Sequence, residues 1–176
     1  MSRDRNLEFE TLALPLLDPL YNFAYWLAQD RHEAEDLVQE TFAKSLRGFD
    51  SFQRGTNFKA WIFRILRNTF LTSRTGLRAF PMLDVEDPAM EVHLADPNNP
   101  ERHLLRVRDR EAIERAIESL PIHYREAVLL CDVEEMTYQE IADLLQVPIG
   151  TVMSRLARAR KMLREALQPA ATRRSR

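Results

Sequence analysis

The sequence predicts an all-α fold of two small helical domains joined by a flexible acidic linker, and three observations lead there. Apolar residues recur at helical spacing through most of the chain. No run of alternating β-branched residues and no Asn-Gly or Asp-Gly hairpin dipeptide interrupts that spacing. Between residues 75 and 99 it lapses into Gly76, Pro81, Pro88, Pro97 and an acidic block, a composition that opposes a packed element. At 176 residues, 45% hydrophobic and 30% charged, the chain has the makeup of a soluble protein of one ordinary or two small domains.

A formal net charge of -2 argues against a simple polycation, yet the charge is segregated along the chain. Residues 1–53 are acid-rich. Arg54, Lys59, Arg64, Arg67, Arg74 and Arg78 then follow without an acid up to Leu83. Asp84, Glu86, Asp87, Glu91, Asp96 and Glu101 reverse this without a base. From Pro148 onward Arg155, Arg158, Arg160, Lys161, Arg164, Arg173, Arg174 and Arg176 face only Glu165. The sole cysteine, Cys131, lies in an apolar run and reads as a buried structural thiol in a reducing compartment. No apolar run approaches the roughly 20 residues that span a bilayer, and Met-Ser-Arg-Asp-Arg leads into no signal-peptide core, so a cytoplasmic protein is expected.

Residues 7–29 contain Pro15 and Pro19, which predict a kink or restart, with Asp18 capping a helix that begins at Pro19 and buries Leu20, Phe23, Ala24 and Leu27. Asp30 and Glu33 form a capping box for a helix over 31–47, with Gly48 as its stop. Ala34, Leu37, Val38, Thr41, Phe42 and Ser45 turn inward on that helix, and Asp36, Gln39, Glu40 and Lys44 turn outward. Two phenylalanines, Phe49 and Phe52, fall in the next short connection; whether they plug the core is open at this level.

Residues 56–74 read as a helix with positive charges at Lys59, Arg64, Arg67 and Arg74 and no acid. Its wheel gives an apolar stripe of Phe58, Trp61, Ile62, Ile65, Leu66 and Thr69, with Lys59, Phe63, Arg67, Phe70 and Arg74 on much of the other side. A core helix with solvated arginines and a helix that meets an anionic partner both fit.

Asn99-Pro100 starts another helix, which Pro121 ends, and 122–131 forms a short one. Thr137 and Glu140 then make a capping box for a helix over 138–145, followed by a turn over 146–150 and a longer helix through Leu167: helix-turn-helix spacing. Ala142 supplies the small residue at the crossing, and Ile141, Leu144, Leu145, Val152 and Leu156 seal the joint. Thr151, Met153, Ser154, Arg155 and Arg158 remain near the exposed start of the second helix, suited to base edges and phosphates in a major groove. Gln146 stands in the turn where glycine is commonest, so strain or a different turn shape is expected.

Together Ala34-Glu-Asp-Leu-Val-Gln-Glu-Thr-Phe42, Phe49-Asp-Ser-Phe52, residues 55–69 and residues 147–160 resemble the extracytoplasmic-function sigma factors of bacterial RNA polymerase. The resemblance implies a region 2 bundle over 1–78, an acidic linker over 79–99, a region 4 helix-turn-helix over 100–170 and a basic tail over 171–176. It implies that Asp36, Gln39 and Glu40 dock on the clamp helices of the polymerase largest subunit, with region 4 meeting the flap. It implies a single-strand pocket for the minus-ten promoter element formed by Gly48, Phe52, Ile65 and Asn68, with Lys59 and Arg67 along the strand. Asn68 would read a base edge; the alternative is that it satisfies a loop carbonyl.

For the minus-thirty-five element the resemblance points to Thr151, Ser154, Arg155 and Arg158, with Arg160 and Lys161 on phosphates or solvent. Met153 stands where many relatives carry arginine, which implies a different promoter preference. The acidic linker fits either a path through polymerase channels or a merely soluble, extended spacer. Residues 55–61 and 13–18 look similar to sigma factors controlled by redox-sensing, zinc-binding anti-sigma proteins, in which the partner carries the cysteines.

His32, His93, His103 and His123 are scattered, and the chain has no Gly-rich phosphate loop and no Cys/His metal spacing, so no enzyme, cofactor or metal site is expected. A helix-turn-helix regulator acting without polymerase is the alternative, but it has no use for an acidic docking face and a base pocket. A decoy that mimics a sigma factor would be expected to lose the basic helix or the recognition arginines, and both are present.

Overall fold

The computed structural model describes residues 2–75 and 110–168, which form two compact units, one N-terminal and one C-terminal. The acidic stretch, the Asn99-Pro100 helix start and the basic tail lie outside the described residues. All elements among the described residues are helical.

In the first unit α1 (Ser2–Ala13) leads through a 3-10 turn (Leu14–Leu16) into α2 (Leu17–Ala28), α3 (Arg31–Gly48), a second 3-10 turn (Phe49–Ser51) and α4 (Phe58–Thr75). The expected restart is present, with Pro15 in the first 3-10 turn. The expected cap is not. Helix α2 begins at Leu17, Leu16 is its N-cap without a side-chain bond, and Asp18 sits inside the first turn, where its charge still suits the helix dipole. Leu20, Phe23, Ala24 and Leu27 are buried as expected.

Asp30 Oδ1 accepts from the Glu33 N–H at 2.9 Å, fixing the start of α3. Glu33 does not close the box; its carboxylate instead accepts from Arg74 at 3.0 Å, and the same Arg74 nitrogen donates to the Ala28 carbonyl at 3.2 Å. One guanidinium from α4 thus closes the end of α2 and the start of α3. Nor does Gly48 stop α3 through a left-handed residue. Its φ is -88° and that of Phe49 is -60°, so the helix tightens into the 3-10 turn.

Helix α4 starts two residues later than expected, with Asn57 Oδ1 accepting from the Ala60 N–H at 3.1 Å. Its buried face is Phe58, Ile62, Phe63, Leu66, Thr69 and Phe70. Phe63 and Phe70, expected on the polar side, are 0% and 3% exposed, whereas Trp61 and Ile65 are only half-buried. The stripe is rotated because α4 packs against both α2 and α3; Phe63 meets Phe23 of α2 with ring centroids 5.4 Å apart.

The second unit comprises α5 (Arg110–Glu118), α6 (Ile122–Val128) continuing into a π turn (Leu129–Val133), α7 (Tyr138–Leu145) and α8 (Ile149–Leu167). Helices α5 and α6 pack on α8. The capping box opens α7: Thr137 N–H donates to the Glu140 carboxylate at 2.8 Å, and Glu140 N–H donates to Thr137 Oγ1 at 3.3 Å. Ile141, Ala142, Leu144, Leu145, Val152 and Leu156 are all buried. Gln146 takes the left-handed conformation, φ 57°, and the next N–H, that of Val147, donates back to the Ala142 carbonyl at 3.1 Å. The turn therefore has the usual shape and Gln146 bears the strain.

Arg125 is 6% exposed and donates to the carbonyls of Ile117, Glu118 and Leu120 at 3.1, 2.7 and 2.8 Å. Burial lowers its pKa, with the Glu118 charge opposing. It satisfies carbonyls at the open end of α5, of which that of Ile117 also accepts from the Leu120 N–H at 3.1 Å. Arg125→Met is expected to lower unfolding free energy by about 3 kcal/mol, read by urea denaturation. Gln146→Gly is expected to raise it by about 0.5–1 kcal/mol in the same assay, because relief of the left-handed strain exceeds the added chain entropy.

Candidate nucleic-acid interface

On α3 the side chains of Asp36, Gln39 and Glu40 are exposed, since burial of Ala34, Leu37, Val38 and Thr41 turns them outward. Lys44, one turn after Glu40, reaches across toward α4. Its Nζ lies 2.8 Å from Glu40 Oε1 and donates to Thr69 Oγ1 at 3.2 Å. The sequence placed Lys44 with the outward residues, but it is half-buried at the α3–α4 contact.

The loop phenylalanines go inside. Phe49 and Phe52 are 1% and 6% exposed, stacked at 6.0 Å with an interplanar angle of 10°. Phe9 meets Phe49 edge-on at 5.4 Å, and Phe58 and Trp61 close on Phe52 at 5.2 and 5.3 Å. Phe52 therefore does not present its ring at the surface as the pocket expected of it. Burying two rings in one short loop outweighs leaving one free, at about 2–3 kcal/mol per ring. What reaches the surface is Trp61, whose half-buried indole leans on this cage.

Trp61, Ile65 and Asn68 follow one another at helical spacing on the open flank of α4. Gly48 borders the same flank, for a Cβ added there would lie 4.0 Å from the Trp61 ring. Ile65 is half-buried and Asn68 exposed; the Asn68 side-chain amide finds no loop carbonyl among the described residues, while the Asn68 backbone carbonyl accepts from the Thr72 hydroxyl at 2.8 Å. Gly48, Ile65 and Asn68 are thus brought to one flank, and Trp61 belongs with them. Its signal was an indole at the edge of an apolar stripe, which the unrotated wheel hid.

The basic segment keeps less charge for a partner than its composition suggests. Arg54 is held by the Glu8 carboxylate at 2.9 and 2.8 Å, which raises the Arg54 pKa and lowers that of Glu8 through these bonds. Arg74 is committed to α2 and α3 as above. Lys59 lies over the Phe63 ring, 5.7 Å from its centroid; Arg67 is half-buried and Arg64 exposed.

In the second unit Thr151, Met153, Ser154, Arg155 and Arg158 are half-buried along the first turns of α8. Ser154 Oγ donates to the Thr151 carbonyl at 3.0 Å, and Arg158 Nη1 to the Tyr124 hydroxyl at 3.3 Å. Arg160 stands apart from this group. It grips the Asp132 carboxylate at 3.2 and 2.7 Å and lies 3.6 Å from Cys131 Sγ. Burial pulls its pKa down, but the bonds and charge of Asp132 outweigh that and raise it. Arg160 ties α8 to the π turn. Lys161 is exposed and Cys131 is 2% exposed. No described helix is long and apolar enough to cross a membrane.

A helical bundle with an acidic face and an amide-bearing aromatic flank, in one chain with a helix-turn-helix, defines a two-part helical DNA-binding protein. Residues 12–79 match the family model for sigma-70 region 2 and residues 110–163 that for sigma-70 region 4. The chain is 34% identical over 169 residues to the RNA polymerase sigma-H factor of Pseudomonas aeruginosa, covering 92% of this chain and 86% of that protein. It is 39% identical over 150 residues to the ECF RNA polymerase sigma factor SigE of Mycolicibacterium smegmatis, covering 85% of this chain but 58% of that longer relative. Among solved structures it resembles the sigma factor RpoE of Bartonella quintana, crystallised with the anti-sigma factor NepR, at 34% identity and TM-score 0.69 over 91% of this chain and 96% of that one. The chain belongs to the extracytoplasmic-function sigma factors, the promoter-specificity factors of bacterial RNA polymerase.

Breaking the Arg160–Asp132 tie separates structure from recognition. Arg160→Leu is expected to cost about 2–3 kcal/mol in urea denaturation, because it leaves a mostly buried carboxylate without its partner. Below the melting temperature it is expected to leave transcription from promoters varied in the minus-thirty-five element ranked as before, whereas Arg155→Ala changes that ranking.

Proposed function

We propose that this sigma factor docks on core RNA polymerase through Asp36, Gln39 and Glu40 and holds an extruded minus-ten base at Gly48, Ile65 and Asn68, with Trp61 beside them. Phe52 supports that flank from within rather than touching the base. Lys59 and Arg67 follow the strand backbone. Thr151, Met153, Ser154, Arg155 and Arg158 read the minus-thirty-five duplex from the start of α8. The region 2 part runs over 1–78 and the region 4 part over 100–170, with 79–99 between them and a basic tail over 171–176.

The observation that carries this reading is the division of labour on one helix pair. The exposed acids and amide of α3 face away from its core stripe, and α4 offers an exposed amide next to an indole and an isoleucine. An acidic docking face suits a basic partner surface, and an amide beside apolar side chains suits one flipped base. A regulator acting without polymerase would use only α8. An anti-sigma protein is a further partner, suggested by the Bartonella quintana complex. The protein acts in the cytoplasm, where polymerase is, and contributes recognition and strand capture rather than catalysis.

Asn68→Ala is expected to leave core polymerase pull-down intact and to lower run-off transcription at least about tenfold, the loss of roughly 1.4 kcal/mol of strand capture. Asp36→Ala combined with Glu40→Ala is expected to lower pull-down first and transcription only as a result. Identical profiles for the two variants would remove the assignment of separate roles.

A further inference from the structure

Of the positive side chains at the α3–α4 contact, Lys44 is the one the charge pattern hid, since it lies in the acid-rich first segment. Its position is central to the flank just described. Along α3 it stands one turn from Glu40 on one side and one turn from Gly48 on the other. Across the groove its Nζ donates to Thr69 Oγ1 at 3.2 Å, the residue next to Asn68, and that hydroxyl donates in turn to the Ile65 carbonyl at 2.9 Å.

Three other bases of this unit are held differently. Arg5 donates to the Leu46 carbonyl at 2.6 Å, Arg54 grips Glu8 with two bonds, and Arg74 closes two helix ends. Those guanidiniums are spent on carbonyls and bidentate pairs that the fold needs. Lys44 has only a hydroxyl and an exposed carboxylate, with side-chain exposures of 36% for Lys44 and 53% for Glu40. A surface pair of this spacing is weak. A flexible ammonium with so loose a hold exchanges partners readily, and a phosphate passing Asn68 would offer it a stronger charge.

We infer that Lys44 is a phosphate contact for the captured promoter strand, and that Glu40 holds it back until core polymerase engages Glu40. This rests on the proposed roles of Glu40 and Asn68 and adds to them a coupling: the acid that docks the polymerase is the acid that restrains the strand-binding cation. Docking would then switch on a DNA contact in the same helix without any backbone movement.

The test uses the full chain, alone and assembled with core polymerase, and a fluorescently labelled single-stranded oligonucleotide pool of randomised sequence, followed by anisotropy across salt concentrations. A phosphate contact is read by every sequence in the pool. With holoenzyme, Lys44→Gln is expected to weaken binding about 3- to 5-fold near roughly 0.1–0.2 M salt and to make the log–log salt slope shallower by about 0.7. Lys44→Arg is expected to keep both. For the chain alone, Glu40→Gln is expected to tighten pool binding about 2-fold, the strength of the released pair.

Unchanged affinity and slope for Lys44→Gln in the holoenzyme would overturn the contact. A Glu40→Gln chain that binds no better than the parent would overturn the restraint. The underlying reading fails on a different measurement: sequencing of the pool retained by holoenzyme. If Asn68→Ala retains the same preferred bases as the parent, the assignment of the strand to this flank is wrong whatever Lys44 does.

Discussion

The stack of Phe49 on Phe52, boxed in by Phe9, Phe58 and Trp61, is the constraint on which the first unit depends. It lies where α3 becomes α4, so it fixes both the end of one helix and the start of the next. Phe9 comes from α1, and Phe9–Phe42 contact at 6.3 Å ties that helix to α3 as well. Because the rings fill the corner, α4 is free to turn Trp61, Ile65 and Asn68 along one flank and bury Phe63 and Phe70 on the other. A functional surface with an exposed amide and a half-exposed indole is stable here because the adjoining loop is packed as core.

The arginines divide in the same way. Those at helix junctions act as connectors: Arg5 on the end of α3, Arg74 between α2 and α3, Arg125 on the end of α5, and Arg160 between α8 and the π turn. A guanidinium offers five donors in a planar fork, which suits it to several carbonyls or one carboxylate at once. Composition alone makes these residues look available to nucleic acid. Geometry leaves that task to fewer side chains, so promoter contact depends more on where a cation sits than on how many there are.

What the sequence disclosed and what it hid follow from distance along the chain. The Asp30 and Thr137–Glu140 caps involve residues three apart, and the helix-turn-helix seal is set by local periodicity, so these were legible. The Arg74–Glu33, Arg54–Glu8 and Arg5–Leu46 bonds join residues 41, 46 and 41 apart, and no local pattern encodes them. The α4 stripe was misjudged because a wheel finds the best single apolar face, whereas this helix is covered from two sides. Asp36, Gln39, Glu40 and Asn68 came out exposed and Ile65 half-buried, which is compatible with the roles the motif resemblance implied. Phe52 did not, because the motif specifies a residue and not which way its ring turns. Trp61 and Lys44 were missed for the complementary reason: one looked like core and the other like ordinary surface.

Among the described residues many of the positive charges are committed to the fold, and counterion release by the described part of each unit is correspondingly small. One unit alone should therefore hold DNA weakly. Joined in a single chain, the second contact becomes intramolecular once the first has formed, so two modest affinities combine into a much larger one only on DNA that suits both. Under the proposed assignment of the strand to the α4 flank, acids on α3 beside that flank would lower the affinity of the free chain further, which would penalise binding away from polymerase more than binding with it. Specificity in such a protein comes from requiring several weak contacts at once, and the same weakness lets the contacts be released one at a time.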